Sequence, residues 1–252
     1  MKITLAQIEC VAGDVEGNTS KIIEAAHKAK ASTLVIFPEL AVCGPASATM
    51  LKSPGFVDKC EKALDRIASQ CETVGVLVGC PVGKCNAAVY MFQGQRKVFK
   101  KKCLEDFEKE VFEPSDADNL LQIGCHKYAV TIGRDLANTN DDEFLLQNRM
   151  DELMALKPDV IINIAAAKGG PGRSRTRRNE LRQNVLKHEI PLVFVNNVAP
   201  KKEATFDGGS MIFGYESYVV ASAPFFEEAV LDVNLECLIS MKHEDEQTDY
   251  TL

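Results

Sequence analysis

The amino-acid sequence predicts a layered α/β fold with helices packed outside the sheets. Short segments rich in Val and Ile alternate with longer segments whose apolar residues recur at helical spacing. Several of the strand segments are continuous apolar runs, which is typical of sheets buried on both faces. Neighbouring strand segments without a helix between them also indicate hairpins.

Strands alternate with helices over most of the chain. The predicted strands are Lys2–Ile8, Thr33–Phe37, Val74–Gly79, Ala87–Phe92, Leu121–Ile123, Tyr128–Ile132, Val160–Ile164, Leu192–Asn196, Ser210–Phe213, Tyr218–Ala223 and Glu228–Asp232. The predicted helices are Lys21–Lys30, with an N-cap offered by Asn18-Thr19-Ser20, Phe56–Gln70, Asp142–Leu156 and Ser174–His188.

Length and composition fit one ordinary globular domain. The chain has 252 residues, of which 46% are hydrophobic and 26% are charged. No low-complexity linker divides it, so we expect a single domain over residues 1–241, followed by a polar, acidic tail over residues 242–252.

The charge and the hydropathy pattern disfavour two classes of partner. The formal net charge of −7 makes general attraction to nucleic acid or to an anionic membrane unfavourable. No apolar run is long enough to span a bilayer, and the first residues lack the features of a signal peptide. A soluble protein of the cytoplasm, without nucleic-acid or membrane partners, is therefore expected.

Cysteine and histidine spacing predicts neither disulfides nor a metal site. The nine cysteines are odd in number, and no signal peptide accompanies them. The four histidines are scattered, whereas a zinc site needs a tighter cluster of N and S ligands. We expect reduced cysteines, no metal and no cofactor.

Glu39 is the first candidate for chemistry, because it follows the strand Thr33–Phe37 directly. Burial at the end of a strand would raise the pKa of this carboxyl group and suit it to act as a general base. An isolated Pro-Glu pair is more often a helix cap or a salt-bridged loop residue.

A second candidate region is KVFKKKCLEDFEKEVFEP, residues 97–114. Such a lysine-rich run is more often a solvated basic turn than a catalytic segment. A lysine held beside a carboxylate can, however, stabilise a developing oxyanion.

Taken in order, these segments resemble the nitrilase superfamily of carbon–nitrogen hydrolases, in particular the glutamine amidotransferase domain of glutamine-dependent NAD synthetases. The resemblance covers nearly the whole chain. It is carried by KITLAQIECVAGDVEGNTSKI, LVIFPELAVCG, NAAVY, K-x-x-L at 101–104, FEPSD, VTIGRD, RRNELRQNVL, PLVFVNNV and FDGGSMIF. It implies a four-layer αββα sandwich of the nitrilase type, commonly assembled as a homo-oligomer.

The resemblance also implies a catalytic set of Glu, Lys and Cys. Glu39 matches the general base, and Lys101 matches the lysine that stabilises the tetrahedral intermediate, since the K-x-x-L spacing selects it over Lys100 and Lys102. Glu108 corresponds to a supporting glutamate, although the loop around it is a few residues shorter than the usual version. These assignments require Glu39 and Lys101 to lie within about 10 Å of each other.

Gly133 stands where the family has its nucleophilic cysteine, and Arg134 stands where the synthetase domain has an acidic residue. A thioester cannot form without sulfur, and neither Arg134 nor Asp135 can replace the thiol. We therefore expect an empty space at the position of the missing sulfur. Cys43 and Cys103 are candidates for a relocated nucleophile, whereas Cys125 falls at the opposite end of its strand.

The stretch AAAKGGPGRSRTRRNELR, residues 165–182, combines glycines with arginines. It could bind phosphate or RNA at the start of a helix, but it lacks the ending of a Walker A motif. The favoured interpretation is a flexible loop that opens a basic amphipathic helix, which the resembling family also has at this position.

Three functions are compatible with the sequence. The favoured one is a catalytically inactive nitrilase-fold protein that binds a small amide or carboxylate, or acts as a scaffold. The alternative is an active amidase or glutaminase that uses a relocated nucleophile or a water-based mechanism with Glu39, or that supplies ammonia to NAD synthesis. A separate NAD synthetase is a candidate partner. A nucleic-acid-binding module is disfavoured by the net charge. The chain has no SGGxDS-like pyrophosphate loop, so it is not expected to make NAD alone.

Overall fold

Two six-stranded mixed sheets form the middle of the protein in the computed structural model, which describes residues 1–136, 149–199, 206–236 and 238–239. The strands are β1 (Lys2–Gln7), β2 (Leu34–Ile36), β3 (Gly75–Val82), β4 (Cys85–Phe92), β5 (Gln95–Lys100), β6 (Leu120–Ile123), β7 (His126–Ile132), β8 (Val160–Ala165), β9 (Leu192–Asn196), β10 (Met211–Phe213), β11 (Val219–Ser222) and β12 (Ala229–Asn234). The helices are α1 (Val15–Lys28), α2 (Ala48–Leu51), α3 (Phe56–Gln70), α4 (Asp106–Lys109), α5 (Arg149–Ala155) and α6 (Arg173–His188).

Each sheet has a parallel centre and antiparallel edges. The first sheet has the order β12-β1-β2-β3-β4-β5, in which β1, β2 and β3 are parallel. The second sheet has the order β11-β10-β9-β8-β7-β6, in which β7, β8 and β9 are parallel. Parallel strands end at the same edge of a sheet, so the loops after β2 and after β7 each leave from a carboxyl edge.

Three apolar layers separate the elements and confirm the αββα order. Between the sheets, buried side chains of the first sheet such as Leu5 and Leu77 pack with Val130 and Ile162 of the second. Outside the first sheet, α1 and α3 bury Ile22, Ala26, Leu64 and Ile67 against it. Outside the second sheet, α5 and α6 contribute Leu153, Leu181 and Val185. The continuous Val and Ile runs thus reflect strands that are covered on both faces.

All of the strands predicted from the sequence are present, with ends that differ by at most three residues. Helix Phe56–Gln70 is confirmed at both ends, and the helix predicted at Ser174–His188 begins one residue earlier. Of the predicted helix Asp142–Leu156, residues 149–155 form α5, and residues 142–148 lie outside the described residues. Cys237 and the predicted tail over residues 242–252 also lie outside them.

The start predicted for the first helix is wrong. Helix α1 begins at Val15, and Asp14 is its N-cap, with Oδ1 accepting a hydrogen bond from Gly17 N at 2.9 Å. Asn18 and Thr19 lie inside the helix and are buried. The Asn18 amide bonds instead to the backbone N–H and carbonyl of Val11, which ties the preceding loop to the helix.

The solvated basic turn predicted in the lysine-rich region is also wrong in part. Residues Gln95–Lys100 form the edge strand β5, which pairs antiparallel with β4 from Phe92↔Gln95 to Ala87↔Lys100. Its first residues are polar and exposed, as is common on an edge strand, where charged side chains discourage further pairing. The strand ends directly before Lys101 and therefore fixes the position of that residue. Within the described residues, no helix is long and apolar enough to cross a membrane.

Candidate functional site

Glu39 is held directly after β2 by a close crossing of two backbone segments. Gly79 N donates a hydrogen bond to Pro38 O at 3.1 Å, and Val42 N donates to Gly79 O at 3.1 Å. A Cβ on Gly79 would lie 2.4 Å from Pro38 O and 2.6 Å from Glu39 Cα, so only glycine fits there. The turn carries Glu39 into the interior, where it is 5% exposed.

Lys101 contacts both glutamates that the sequence predicted for the site. Its Nζ lies 2.7 Å from Glu39 Oε1 and 2.8 Å from Glu108 Oε2. All three side chains are buried, so the ion pairs are shielded from water. The separation required for the family assignment is therefore met. Lys102 points elsewhere and pairs with Glu152 at 2.7 Å.

Glu108 is positioned by the short helix α4. It is the third residue of that helix, and its carboxylate accepts a hydrogen bond from Glu105 N at 2.8 Å in a reciprocal capping box. The capped oxygen, Oε2, also lies 2.8 Å from Lys101 Nζ, while Oε1 accepts hydrogen bonds from Asn86 at 2.7 Å and from Lys101 at 2.9 Å. The loop after β5 thus brings a second carboxylate to Lys101.

Asn86 completes the cluster, and the sequence reasoning did not assign it to the site. Its Nδ2 donates to Glu39 Oε1 at 2.8 Å and to Glu108 Oε1 at 2.7 Å. Its Oδ1 has no hydrogen-bond partner among the residues that the structure describes. The only signal in the sequence was the segment NAAVY, in which a polar residue precedes an apolar strand.

Burial and charge act in opposite directions on the two central groups. Burial raises the pKa of Glu39 above its ordinary value, although the positive charge of Lys101 opposes this and Ala166 N donates to Glu39 Oε2 at 2.9 Å. For Lys101, burial favours the neutral amine, but the negative charges of Glu39 and Glu108 outweigh it, and its pKa lies above the ordinary value. Lys101 is therefore a fixed positive charge between two carboxyl groups.

Gly133 occupies a sharp turn at the carboxyl end of β7. Its φ is +51°, and a 3-10 turn, Gly133–Leu136, follows the strand at once. In other hydrolases a nucleophile stands on such a strained strand-to-helix turn, with its side chain projected into the active site. Gly133 thus has a turn of this kind at the end of its strand but no side chain to project from it.

The empty space expected at the missing sulfur is absent. A Cβ built on Gly133 would lie 2.9 Å from Glu39 Oε2 and 2.9 Å from Lys101 Nζ. The carboxylate of Glu39 and the ammonium group of Lys101 therefore lie against the position where a side chain at residue 133 would begin. Any larger residue at 133 has to displace them slightly, which flexible side-chain ends allow.

Asp135 joins the glycine turn to the segment that carries Lys101. It is 1% exposed, and its carboxylate accepts hydrogen bonds from Ile132 N, Lys102 N and Cys103 N at 3.2, 3.0 and 2.7 Å. Burial raises the pKa of Asp135, and the backbone donors and Lys101 oppose that shift. Sequence reasoning considered Asp135 only as a substitute nucleophile and missed this structural role. Arg134 is exposed.

The cysteines proposed as a relocated nucleophile are poorly suited to that role. Cys43 is fully buried, and a hydrogen bond with the Cys60 thiol together with burial raises its pKa well above the ordinary value. Burial also raises the pKa of Cys103 to about 11. Cys125 is exposed just before β7, at the far end of that strand from Gly133.

The three charged site residues line a cavity of about 1400 Å³. Apolar walls are contributed by residues such as Cys10, Val11, Phe107 and Phe206. The glycine- and arginine-containing stretch lines it as well, through Lys168, Arg173 and Arg177. Cys10 is a further thiol in the cavity wall that sequence reasoning did not consider, and burial raises its pKa strongly. Among the described residues, no group of His, Cys, Asp and Glu is arranged to hold a metal.

The sequence and the fold of this chain were compared with those of known proteins. Residues 2–239 match the family model described as "Carbon-nitrogen hydrolase". Curated relatives include the glutamine-dependent NAD(+) synthetases of Synechocystis sp., 28% identical over 90% of this chain, and of Thermotoga maritima, 27% identical over 94% of it. The chain spans only 44% and 42% of the lengths of these two relatives.

Solved structures share the fold. The glutamine-dependent NAD+ synthetase of Acinetobacter baumannii superimposes with a TM-score of 0.81 at 24% identity, over 94% of this chain and 46% of that one. A mutant of the nitrilase-superfamily amidase of Nesterenkonia superimposes with a TM-score of 0.80 at 19% identity, over 100% of this chain and 97% of that one.

Proposed function

Because the chain belongs to the carbon–nitrogen hydrolase family, we propose that it is a catalytically inactive member that binds a small amide or carboxylate in its cavity. The observation that carries this proposal is Gly133, on the turn where the nucleophile is expected. Glu39 and Lys101 could still remove a proton and stabilise an oxyanion, but the chain offers no sulfur between them.

The chemistry of covalent amide hydrolysis explains why this one position matters. The nucleophile attacks the carbonyl carbon, the C–N bond breaks as the amine leaves with a proton, and water then releases the acyl group. A related Nesterenkonia amidase carries an active-site cysteine to which acrylamide adds. Loss of the nucleophile alone lowers turnover about 10⁶-fold in a well-studied serine protease.

Two observations count against an active alternative. The thiols of Cys10, Cys43 and Cys103 all have raised pKa values, which disfavour the reactive thiolate. A water-based mechanism would have to use Glu39, whose Oε1 accepts two hydrogen bonds, from Lys101 and Asn86, and whose Oε2 accepts one, from Ala166 N. Three of the roughly four acceptor positions of the Glu39 carboxylate are therefore occupied by donors of the protein itself.

The deciding experiment measures ammonia release from glutamine, asparagine and simple aliphatic amides. The chain is compared with Gly133→Cys, with Gly133→Ala as a control for the added Cβ and with Glu39→Gln introduced into Gly133→Cys. We expect activity only in Gly133→Cys and its loss on adding Glu39→Gln. Ammonia release by the unmodified chain, abolished by Glu39→Gln, would overturn the proposal in favour of an active amidase or glutaminase.

Assembly and partners form part of the same proposal. We expect a homo-oligomer in the cytoplasm, and a separate NAD synthetase as partner, because the relatives that the chain matches are glutamine-dependent NAD synthetases. Light scattering of the purified chain tests the first expectation. Co-purification with an NAD synthetase from the same cells tests the second.

A further inference from the structure

The outer face of helix α6 carries a row of arginines that the proposed function does not use. Arg175, Arg178 and Arg182 are exposed, and their spacing of i, i+3 and i+7 places them on one side of the helix. We propose that this arginine face binds an acidic segment of a partner protein, whose carboxylates pair with the three guanidinium groups. The inference goes beyond ligand binding in the cavity, because the arginine face is not part of the cavity lining.

The packing of α6 turns the arginine face away from the protein. Leu181 and Val185 pack against the second sheet, and Arg177 and Asn184 are also buried. Since a helix turns by about 100° per residue, these four positions lie on a different side of α6 from the arginine face. With a rise of about 1.5 Å per residue, the row of arginines extends over about 10 Å of the surface.

The arginine face has no counter-charge within the described part of the chain. None of its three guanidinium groups forms an ion pair with a described residue, whereas four other arginines do, namely Arg66, Arg96, Arg149 and Arg177. Arg182 Nε donates a hydrogen bond to Ser217 Oγ at 3.0 Å, which orients this side chain and leaves its terminal nitrogens to other acceptors. A local positive surface thus lies on a chain whose formal net charge is −7.

The acidic residues nearest to this surface do not neutralise it. Glu180 lines the cavity, and it is two residues from Arg178 and from Arg182, a spacing at which helical side chains do not face each other. Glu216 adjoins Ser217 in the sequence and carries one negative charge against three positive ones. The arginine face therefore keeps a net positive charge.

Charge complementarity and one apolar side chain indicate the class of partner. Guanidinium groups bind carboxylates in a planar, bidentate geometry, and arginine is enriched in protein interfaces. Leu186, one turn beyond Arg182 on the same side of α6, is 47% exposed and offers an apolar contact at the end of the row. A second copy of α6 packed antiparallel on this face would oppose arginine to arginine, which is repulsive. The face thus fits an acidic protein segment that ends in an apolar residue.

The test uses two synthetic helical peptides that differ only in charge. One carries glutamates at i, i+3 and i+7 and a leucine one turn further, and the other has glutamines in place of the glutamates. Their binding to the intact chain is measured by fluorescence anisotropy at low ionic strength. We expect the glutamate peptide to bind at least about tenfold more tightly and to weaken as salt is added. Equal affinity for the two peptides would overturn the proposal.

Variants separate a local site from general charge. Replacing all three arginines of the face by glutamine should weaken binding of the glutamate peptide at least about tenfold. A matched control removes three exposed lysines from the helices outside the first sheet and should leave binding within about twofold; it combines Lys30→Gln, Lys59→Gln and Lys62→Gln. Circular dichroism checks that both variants are folded, and equal losses in the two would contradict a site on α6.

Two further measurements address other occupants of the arginine face. Single-stranded polyuridylate RNA that binds more tightly than the glutamate peptide, and loses affinity in the arginine variant, would overturn the acidic partner in favour of nucleic acid. Light scattering that finds the intact chain oligomeric and the arginine variant monomeric would assign the face to a second copy instead. None of these outcomes bears on the proposed function, which the Gly133→Cys assay tests in the cavity.

Discussion

Lys101 is the residue on which the polar cluster depends. It is the only cation that contacts Glu39 and Glu108 within the described part of the chain, and all three are buried. Replacing a whole buried ion pair by apolar groups can be neutral, whereas removing one partner leaves an uncompensated charge. Here the removal of one lysine would leave two carboxyl groups facing each other.

Substitution of Lys101 should therefore strongly destabilise the folded chain. We expect Lys101→Met to lower the free energy of unfolding by about 3–5 kcal/mol, measured by urea denaturation at neutral pH. Lys109→Met removes an exposed lysine from the neighbouring helix and should change it by less than about 0.5 kcal/mol. A loss of similar size in both variants would contradict the buried role of Lys101.

The raised pKa of Glu39 predicts the direction of a pH dependence. The folded chain binds the Glu39 proton more tightly than the unfolded chain, so stability falls as pH rises from about 4.3, the unfolded pKa, to the folded pKa. The free energy of unfolding of the chain, measured relative to that of Glu39→Gln, should decrease over this range.

Glu24 supplies a control of opposite sign. Its pKa is lowered by the hydrogen bond from Lys28, so its contribution to stability is lost as pH falls. Measured relative to Glu24→Gln, the chain should therefore gain stability as pH rises. If the free energy of unfolding, measured relative to the matching Gln variant, changed with pH in the same direction for both glutamates, the raised pKa of Glu39 would be contradicted.

At the scale of elements, helix starts and turns decide where the site residues lie. The sequence analysis placed the N-cap of α1 at Asn18-Thr19-Ser20, whereas the structure places it at Asp14, and helical periodicity alone does not choose between the two. Asp14 accepts the capping hydrogen bond because the loop from Val11 is tied to Asn18 inside the helix. Long-range contacts of this kind cannot be deduced from local sequence.

The two candidate caps can be separated by substitution. Asp14→Ala should lower the free energy of unfolding by about 1 kcal/mol, because it removes the acceptor for Gly17 N. Ser20→Ala, on the exposed face inside the helix, should cost less than about 0.5 kcal/mol. Thermal unfolding followed by circular dichroism measures both, and a larger loss for Ser20→Ala would place the cap where the sequence predicted it.

Asp135 links β7 to the segment after β5, and its loss should loosen both. Asp135→Ala leaves three backbone N–H groups without their acceptor, so we expect the free energy of unfolding to fall by at least about 3 kcal/mol. Asp135→Asn keeps one oxygen acceptor and should lose less. Asp116→Ala, at an exposed carboxylate, is the control, and hydrogen exchange of Lys102 and Cys103 amides would locate the effect.

At the scale of the whole molecule, the architecture could be predicted because apolar strands and amphipathic helices alternate clearly. The contacts between Glu39, Lys101 and Glu108 followed from the resemblance to a family, since these residues are far apart in the sequence. Asn86 and Asp135 could not be assigned, because their roles depend on which atoms meet after both sheets have formed. The crowding around Gly133 likewise depends on where two side chains end, which only the three-dimensional structure shows.

The pairing of β1 with β12 has a consequence for how the protein is made. Thr4 contacts Asp232 across this pair, although the two residues are 228 positions apart in the chain. A ribosome extends a chain by about 5–20 residues per second, so β1 waits on the order of ten seconds or more for its antiparallel neighbour. During synthesis, one edge of β1 is left open to other strands, and chaperone binding to the nascent chain would be most useful in that interval.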